Sequence, residues 1–221
     1  MDASLDTNVI FHLYNADFQD LLFNRFEKLK VYEFIRTQEL KKHADSAILE
    51  IFDKDVESGK IELVTDAYLR EIGMFSIFLS HVKETRILFE GSDLGEVYAI
   101  SMAKTLGCIS LVTDDIKERG PHYTLMRIPD SDVMPFAFYE LLFLDYLEGR
   151  LNEQELLDYF NRICVLSKLT MDSKSKLKSF IKRFWRDPYT ESEKEWMKSF
   201  CEENGINAKN RIQKLSSFLL K

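Results

Sequence analysis

Ala3-Ser4-Leu5-Asp6-Thr7-Asn8-Val9-Ile10 is the stretch whose reading decides the fold. A short apolar run predicts a strand over residues 2–5, and that strand stops at an acid. Thr7 and Asn8 follow, and then apolar positions predict a helix from Val9 to about Tyr14. The same event recurs at Ile109-Ser110-Leu111-Val112-Thr113-Asp114-Asp115, where a strand of buried character ends in paired carboxylates. In a parallel α/β sheet, strand ends of this kind meet at one crevice. Acids far apart in sequence are therefore expected to be neighbours.

The stretches between continue the alternation. A helix is predicted from Phe18 to Leu29, a strand over Val31-Tyr32-Glu33-Phe34-Ile35, and a helix to about Asp55 that Thr37 can cap. Ile61-Glu62-Leu63-Val64 reads as a strand and Asp66 to about Leu88 as one long helix. Gly91-Ser92-Asp93 is a break, Leu94 to about Leu106 a helix closed by Gly107, and Tyr123 to Ile128 a further strand. Strands alternating with helices predict an α/β fold with a parallel sheet. From Asp132 onward the strand signal stops. Helices are predicted at about 132–148, 152–168, 173–187, 191–204 and 207–220, with breaks at Gly149, Pro188 and Gly205. The expected organisation is an α/β domain over 1–148 and an all-helical C-terminal extension over 149–221.

Composition narrows the function classes. The 221 residues are 45% hydrophobic and 30% charged, which suits a globular chain with one sizeable core and an appendage. No apolar run reaches the ~18 residues of a membrane span. Met1-Asp2-Ala3-Ser4 does not open a secretory signal. Cys108, Cys164 and Cys201 are odd in number and widely spaced, which argues against a disulfide framework and a zinc site. A cytoplasmic protein without a membrane partner is expected. The absence of a Walker A motif, a Rossmann glycine fingerprint and a Ser-His-Asp order disfavours nucleotide-dependent and triad chemistry. His12, His43, His81 and His122 show no ligand spacing.

Four acids stand where such a crevice would form: Asp6, Glu39, Glu96 and Asp115. Each also has a structural explanation. Asp6 is a good N-cap. Glu39 lies in the first turn after a strand, where a helix N-terminus favours a carboxylate by up to ~1 kcal/mol. Asp93-Leu94-Gly95-Glu96 has capping-box spacing, with Asp93 as the cap, Glu96 turned to the crevice, and Gly95 leaving room for a backbone or a phosphate. Adjacent residues on a strand point apart, so Asp115 is the expected ligand and Asp114 a supporting or second-metal group. Thr7, Asn8 and Thr113 would orient the carboxylates by hydrogen bonds. Carboxylates crowded together need protons or a hard cation between them.

Leu5-Asp6-Thr7-Asn8-Val9, the early Glu39, Gly95-Glu96-Val97-Tyr98-Ala99-Ile100-Ser101-Met102-Ala103 and Leu111-Val112-Thr113-Asp114-Asp115 resemble, in this order, the motifs of the PIN domain family. The resemblance covers roughly residues 1–130. It implies a three-layer α/β/α fold with a central parallel sheet, and a Mg²⁺- or Mn²⁺-dependent ribonuclease whose catalytic, metal-holding acids are Asp6, Glu39, Glu96 and Asp115. It further implies an RNA substrate and, for the toxins in the family, an antitoxin protein partner. Two features depart from the pattern: the third acid is Glu where the family usually has Asp, and the helical extension has no counterpart. A non-catalytic RNA- or protein-binding module on the same scaffold is the alternative reading. The apolar character of 66–88 also suggests a homodimer.

Charge is unevenly spread. Residues 1–167 hold 17 Lys and Arg against 30 Asp and Glu, and residues 168–221 hold 13 against 7. Lys174, Lys176, Lys178, Lys182, Arg183 and Arg186 interleave with Phe180, Ile181, Phe184 and Trp185. Leu177, Phe180, Ile181 and Phe184 share one helical face and are expected to pack inward. Lys174, Lys178, Lys182, Arg183 and Arg186 are the candidate RNA contacts.

Overall fold

The computed structural model describes residues 1–89, 94–128, 131–188 and 190–220. The chain divides into two compact units, Met1–Phe138 and Tyr139–Lys221. The expected join lay at 148/149; the helix Phe138–Glu148 instead groups with the helices that follow it.

In the first unit five parallel strands form one sheet: β1 (Asp2–Leu5), β2 (Lys28–Tyr32), β3 (Ile61–Val64), β4 (Ser110–Val112) and β5 (Met134–Phe136), in the order β3-β2-β1-β4-β5. The chain builds outward from β1 to β3, then crosses over and builds outward again from β4. The reversal falls between β1 and β4, whose register sets Leu5 beside Val112. Ala3, Leu5, Val31, Leu111 and Val112 are fully buried, as strands covered on both faces require. The connecting helices are α1 (Thr7–Ala16), α2 (Asp20–Phe23), α3 (Lys41–His43), α4 (Ser46–Glu57), α5 (Asp66–Glu71), α6 (Phe75–Leu88), α7 (Leu94–Leu106) and α8 (Pro121–Leu125). Helix α7 lies across β1, β2 and β4 and packs along α6, while α4 packs on α1 and β3. The architecture is three-layered α/β/α with a helical extension.

Several local expectations are corrected. The strand expected at 31–35 runs over Lys28–Tyr32, because Lys30 is accommodated by an ion pair to Asp2 at 2.6 Å. Thr37 caps nothing; it sits inside a π-helical turn, Ile35–Leu40, and its hydroxyl donates to the Glu33 carbonyl at 2.8 Å. The helix expected over 66–88 is broken into α5 and α6 at Gly73, whose φ of +72° lies in the left-handed region that favours glycine. Tyr123–Ile128 is no strand: Pro121 opens the short helix α8 there. The fifth strand is Met134–Phe136, where helix was expected, and Pro135 is tolerated because β5 is an edge. The break expected at Gly91-Ser92-Asp93 lies outside the described residues, as does the capping role expected of Asp93.

The second unit contains α9 (Phe138–Glu148, whose first residue closes the first unit), α10 (Glu153–Leu166), α11 (Ser173–Ile181), a π-helical turn (Lys182–Arg186), α12 (Glu191–Glu203) and α13 (Ala208–Phe218). Asn152 and Glu155 form a reciprocal capping box on α10, and Asp172 caps α11 through Ser175 N–H. Phe143, Phe160, Phe180, Phe184, Met197 and Leu215 are buried in this unit. Among the described residues no helix is long and apolar enough to cross a membrane.

Candidate functional site

Asp6 stands where β1 gives way to α1, beside the reversal point of the sheet. Its backbone N–H donates to the Val112 carbonyl at 3.0 Å, which ties it to the end of β4. One carboxylate oxygen accepts from Thr7 N–H at 2.7 Å and the other from the Thr113 hydroxyl at 2.9 Å. The residue is 1% exposed. Burial pushes its carboxyl from 3.8 up to about 6, the neighbouring Asp114 and Asp115 push the same way, and the bonds from Thr113 and Thr7 oppose them.

Glu39 arrives on the π-helical turn that follows β2, a helix irregularity common at functional sites. The Thr7 hydroxyl donates to its Oε2. Gly95 packs directly against the same carboxylate, and a Cβ there would overlap it. The room at Gly95 is thus used by Glu39, not by a backbone or a phosphate. Glu96 is the next residue, in the first turn of α7. A crossover helix that returns the chain to a parallel strand begins at the edge where the other strands end, so Glu96 reaches the same edge as Asp6.

Asp6, Glu39 and Glu96 line one cavity of about 410 Å³, with Thr7 and Asn8 between them. Phe11, Phe34, Gln38 and Leu94 supply further wall, and Lys42 and His43 add basic side chains. The Thr7 hydroxyl thus holds Glu39 and the Thr113 hydroxyl Asp6, and Asn8 lines the cavity.

Asp115 is not in this lining. Its Oδ1 accepts from Lys117 N–H at 3.2 Å, and its Oδ2 lies 3.6 Å from Lys117 Nζ. Gly120 covers it so closely that a Cβ would meet Oδ1 at 2.6 Å. Asp114 is engaged elsewhere: Oδ2 lies 2.6 Å from His12 Nδ1 and Oδ1 accepts from Phe138 N–H at 2.8 Å. Both acids still act on Asp6 through their charge.

The donor chemistry of Asp6, Glu39 and Glu96 is hard carboxylate oxygen, the kind that Mg²⁺ and Mn²⁺ take. Among the described residues, no group of three or more His, Cys, Asp or Glu side chains is gathered so as to hold a metal ion as it stands. Sequence reasoning missed His12, Lys42, His43, Phe11 and Phe34. None has a local signal, because each acquires its meaning from residues distant in sequence.

In the helical unit, Lys174, Lys178, Lys182 and Arg186 are exposed. Arg183 is not a candidate RNA contact: it is 3% exposed, with its guanidinium bonded to both oxygens of Glu140 at 2.8 and 2.9 Å and to Glu193 at 3.0 Å. Leu177, Phe180 and Phe184 are buried and Ile181 is half-buried, which bears out their expected packing face.

Comparison with known protein families, curated proteins and solved structures returns no match for this chain.

Proposed function

We propose that this chain is a PIN-like, divalent-metal-dependent endoribonuclease. The observation that carries the reading is that Asp6, Glu39 and Glu96, ninety residues apart at the extremes, line one cavity at the reversal point of a parallel sheet, where α/β proteins hold their ligands. Asp6, Glu39 and Glu96 would hold Mg²⁺ or Mn²⁺, with Asp115 or Asp114 close enough to add charge. A hard cation bound there would acidify a water for in-line attack at phosphorus and offset charge on the phosphate oxygens.

The chain's own residues have separable tasks. Thr113 and Thr7 N–H fix both oxygens of Asp6, and the Thr7 hydroxyl fixes Glu39. Lys42 and His43, exposed at the same cavity, offer donors to a substrate phosphate. Phe11 and Phe34, half-buried in the wall, offer ring faces to a base. Exposure of purified protein to a labelled RNA with Mn²⁺, with chelator, and as Asp6→Asn tests this. Cleavage that needs the cation and vanishes in Asp6→Asn supports the reading; equal cleavage by Asp6→Asn sinks it. A toxin role adds a further outcome: growth arrest on expression alone, relieved by a partner that fills the cavity.

A non-catalytic binding module is the second reading. What favours it is that Asp6 and Glu39 are already engaged by protein hydroxyl and amide donors, and that among the described residues no three acids are gathered to hold a cation. On that reading Mn²⁺ leaves thermal stability unchanged.

A further inference from the structure

We infer that the outer face of α11 and the turn after it is a binding ridge for a single nucleic-acid strand. This inference does not depend on cleavage at Asp6. Lys174, Lys178 and Lys182 recur every fourth residue along α11 and its end, so they form one row on the helix surface, and Arg186 follows four residues on, at the close of the π-helical turn. All four are exposed. Lys182 lies 3.5 Å from Asp187, itself exposed. Among the described residues, no carboxylate lies in ion-pair reach of Lys174, Lys178 or Arg186.

Elsewhere in this unit several cations find carboxylate partners. Lys194 pairs with Glu191, Lys198 with Glu202, Lys214 with Glu153 and Arg150 with Asp145. Like charges four apart on a helix each destabilise it by a few tenths of a kcal/mol. Among the described residues only Asp187, beside Lys182, offsets part of that cost, and a polyanion would offset the rest by neutralising the repulsion.

The second observation selects the kind of polyanion. Trp185, 37% exposed, lies within the row between Lys182 and Arg186. Phe180 and Phe184 hold its indole edge-on, with ring centres 5.7 and 6.2 Å away and interplanar angles of 66° and 72°. A large ring fixed in orientation and still open to solvent suits base stacking, and unpaired bases stack where duplex bases cannot. The inner face is anchored independently, since Arg183 is committed to Glu140 and Glu193.

The test uses the full chain carrying Asp6→Asn, in chelator, so that cleavage does not enter the readout. A fluorescein-labelled U-rich oligonucleotide is titrated by anisotropy across a salt series. The triple variant Lys174→Gln/Lys178→Gln/Arg186→Gln, checked for an unchanged melting curve, is expected to bind at least about tenfold more weakly. Its slope of log affinity against log salt should be shallower by about 2, since each phosphate contact on a single strand contributes roughly 0.7. Tryptophan quenching on binding should survive Trp196→Phe and disappear in Trp185→Phe. Unchanged affinity and slope in the triple variant would overturn the ridge. Quenching that persists in Trp185→Phe would overturn the stacking role. Capture of phosphatidylserine vesicles without oligonucleotide binding would make the row a membrane-facing surface and overturn the proposal.

Discussion

At the scale of single residues, Asp6 is held in a place where its own charge is unfavourable. Burial lifts its carboxyl from 3.8 to about 6, so the folded chain takes up a proton that the unfolded chain lacks between those values. The stabilisation from this proton is complete below pH 3.8 and is lost as pH rises through 6. The difference is on the order of 3 kcal/mol, at about 1.4 kcal/mol per pH unit. Asn at this position would keep an acceptor for Thr7 N–H, and the Thr113 hydroxyl can turn to receive its amide. Asp6→Asn is therefore expected to stabilise the metal-free protein at pH 8 by about 1–3 kcal/mol, and to flatten its urea midpoint between pH 4 and 7. The same variant is expected to lose cation-dependent cleavage. Gain in stability with loss of activity would mark a charge retained for function. Gly95 makes the converse case. Gly95→Ala forces a Cβ into the Glu39 carboxylate and should cost about 1–3 kcal/mol by overpacking, with cleavage falling as Glu39 is displaced. A variant with parental stability and parental cleavage would show that Glu39 has room to move and that its position is not critical.

At the scale of elements, the buried Arg183 bridges α9 and α12 through Glu140 and Glu193. Arg183→Met alone leaves two carboxylates in the interior without their cation, which should cost about 3–5 kcal/mol. Combining it with Glu140→Gln and Glu193→Gln should recover most of that loss. Tryptophan fluorescence reads this transition selectively, because Trp185 and Trp196 are the chain's two tryptophans and both belong to the helical unit. The same residue shows where sequence stops being legible. Arg183 sits among outward cations, and only carboxylates ten and forty-three positions away turn it inward. By contrast β1, β3 and β4 were legible because an apolar run ended sharply at a polar residue. The β2 boundary was not, since Lys28 and Lys30 disguise a strand whose charge is met by Asp2. β5 was hidden because Pro135 argues against a strand everywhere except at an edge. That Asp6, Glu39 and Glu96 share one cavity was legible from motif order, but the turn that binds Asp115 to Lys117 was not, because it depends on loop geometry.

At the scale of the whole molecule, the acidic first unit, Met1–Phe138, and the basic stretch 168–221 inside the second unit make opposite demands on the medium. Cation binding in the first unit and polyanion binding in the second should therefore separate by pH and by salt. On the proposed reading protons would compete with a cation for Asp6, whose carboxyl is raised by burial to about 6, so Mn²⁺ affinity should fall as pH drops below that value. A ligand that binds only the folded state at 100 times its Kd adds about 2.7 kcal/mol of stability. Mn²⁺ is expected to raise Tm clearly at pH 8, weakly at pH 5, and not at all in Asp6→Asn, with chelator reversing the effect. Far-UV circular dichroism or tyrosine signals should report it, since neither tryptophan lies in the unit that carries the acids. An equal rise at pH 5 and pH 8, or a rise that survives Asp6→Asn, would locate the cation on the acidic surface and not at the sheet reversal. No rise at any pH would favour the binding module over the nuclease, while leaving the ridge on α11 to be judged by its own salt dependence.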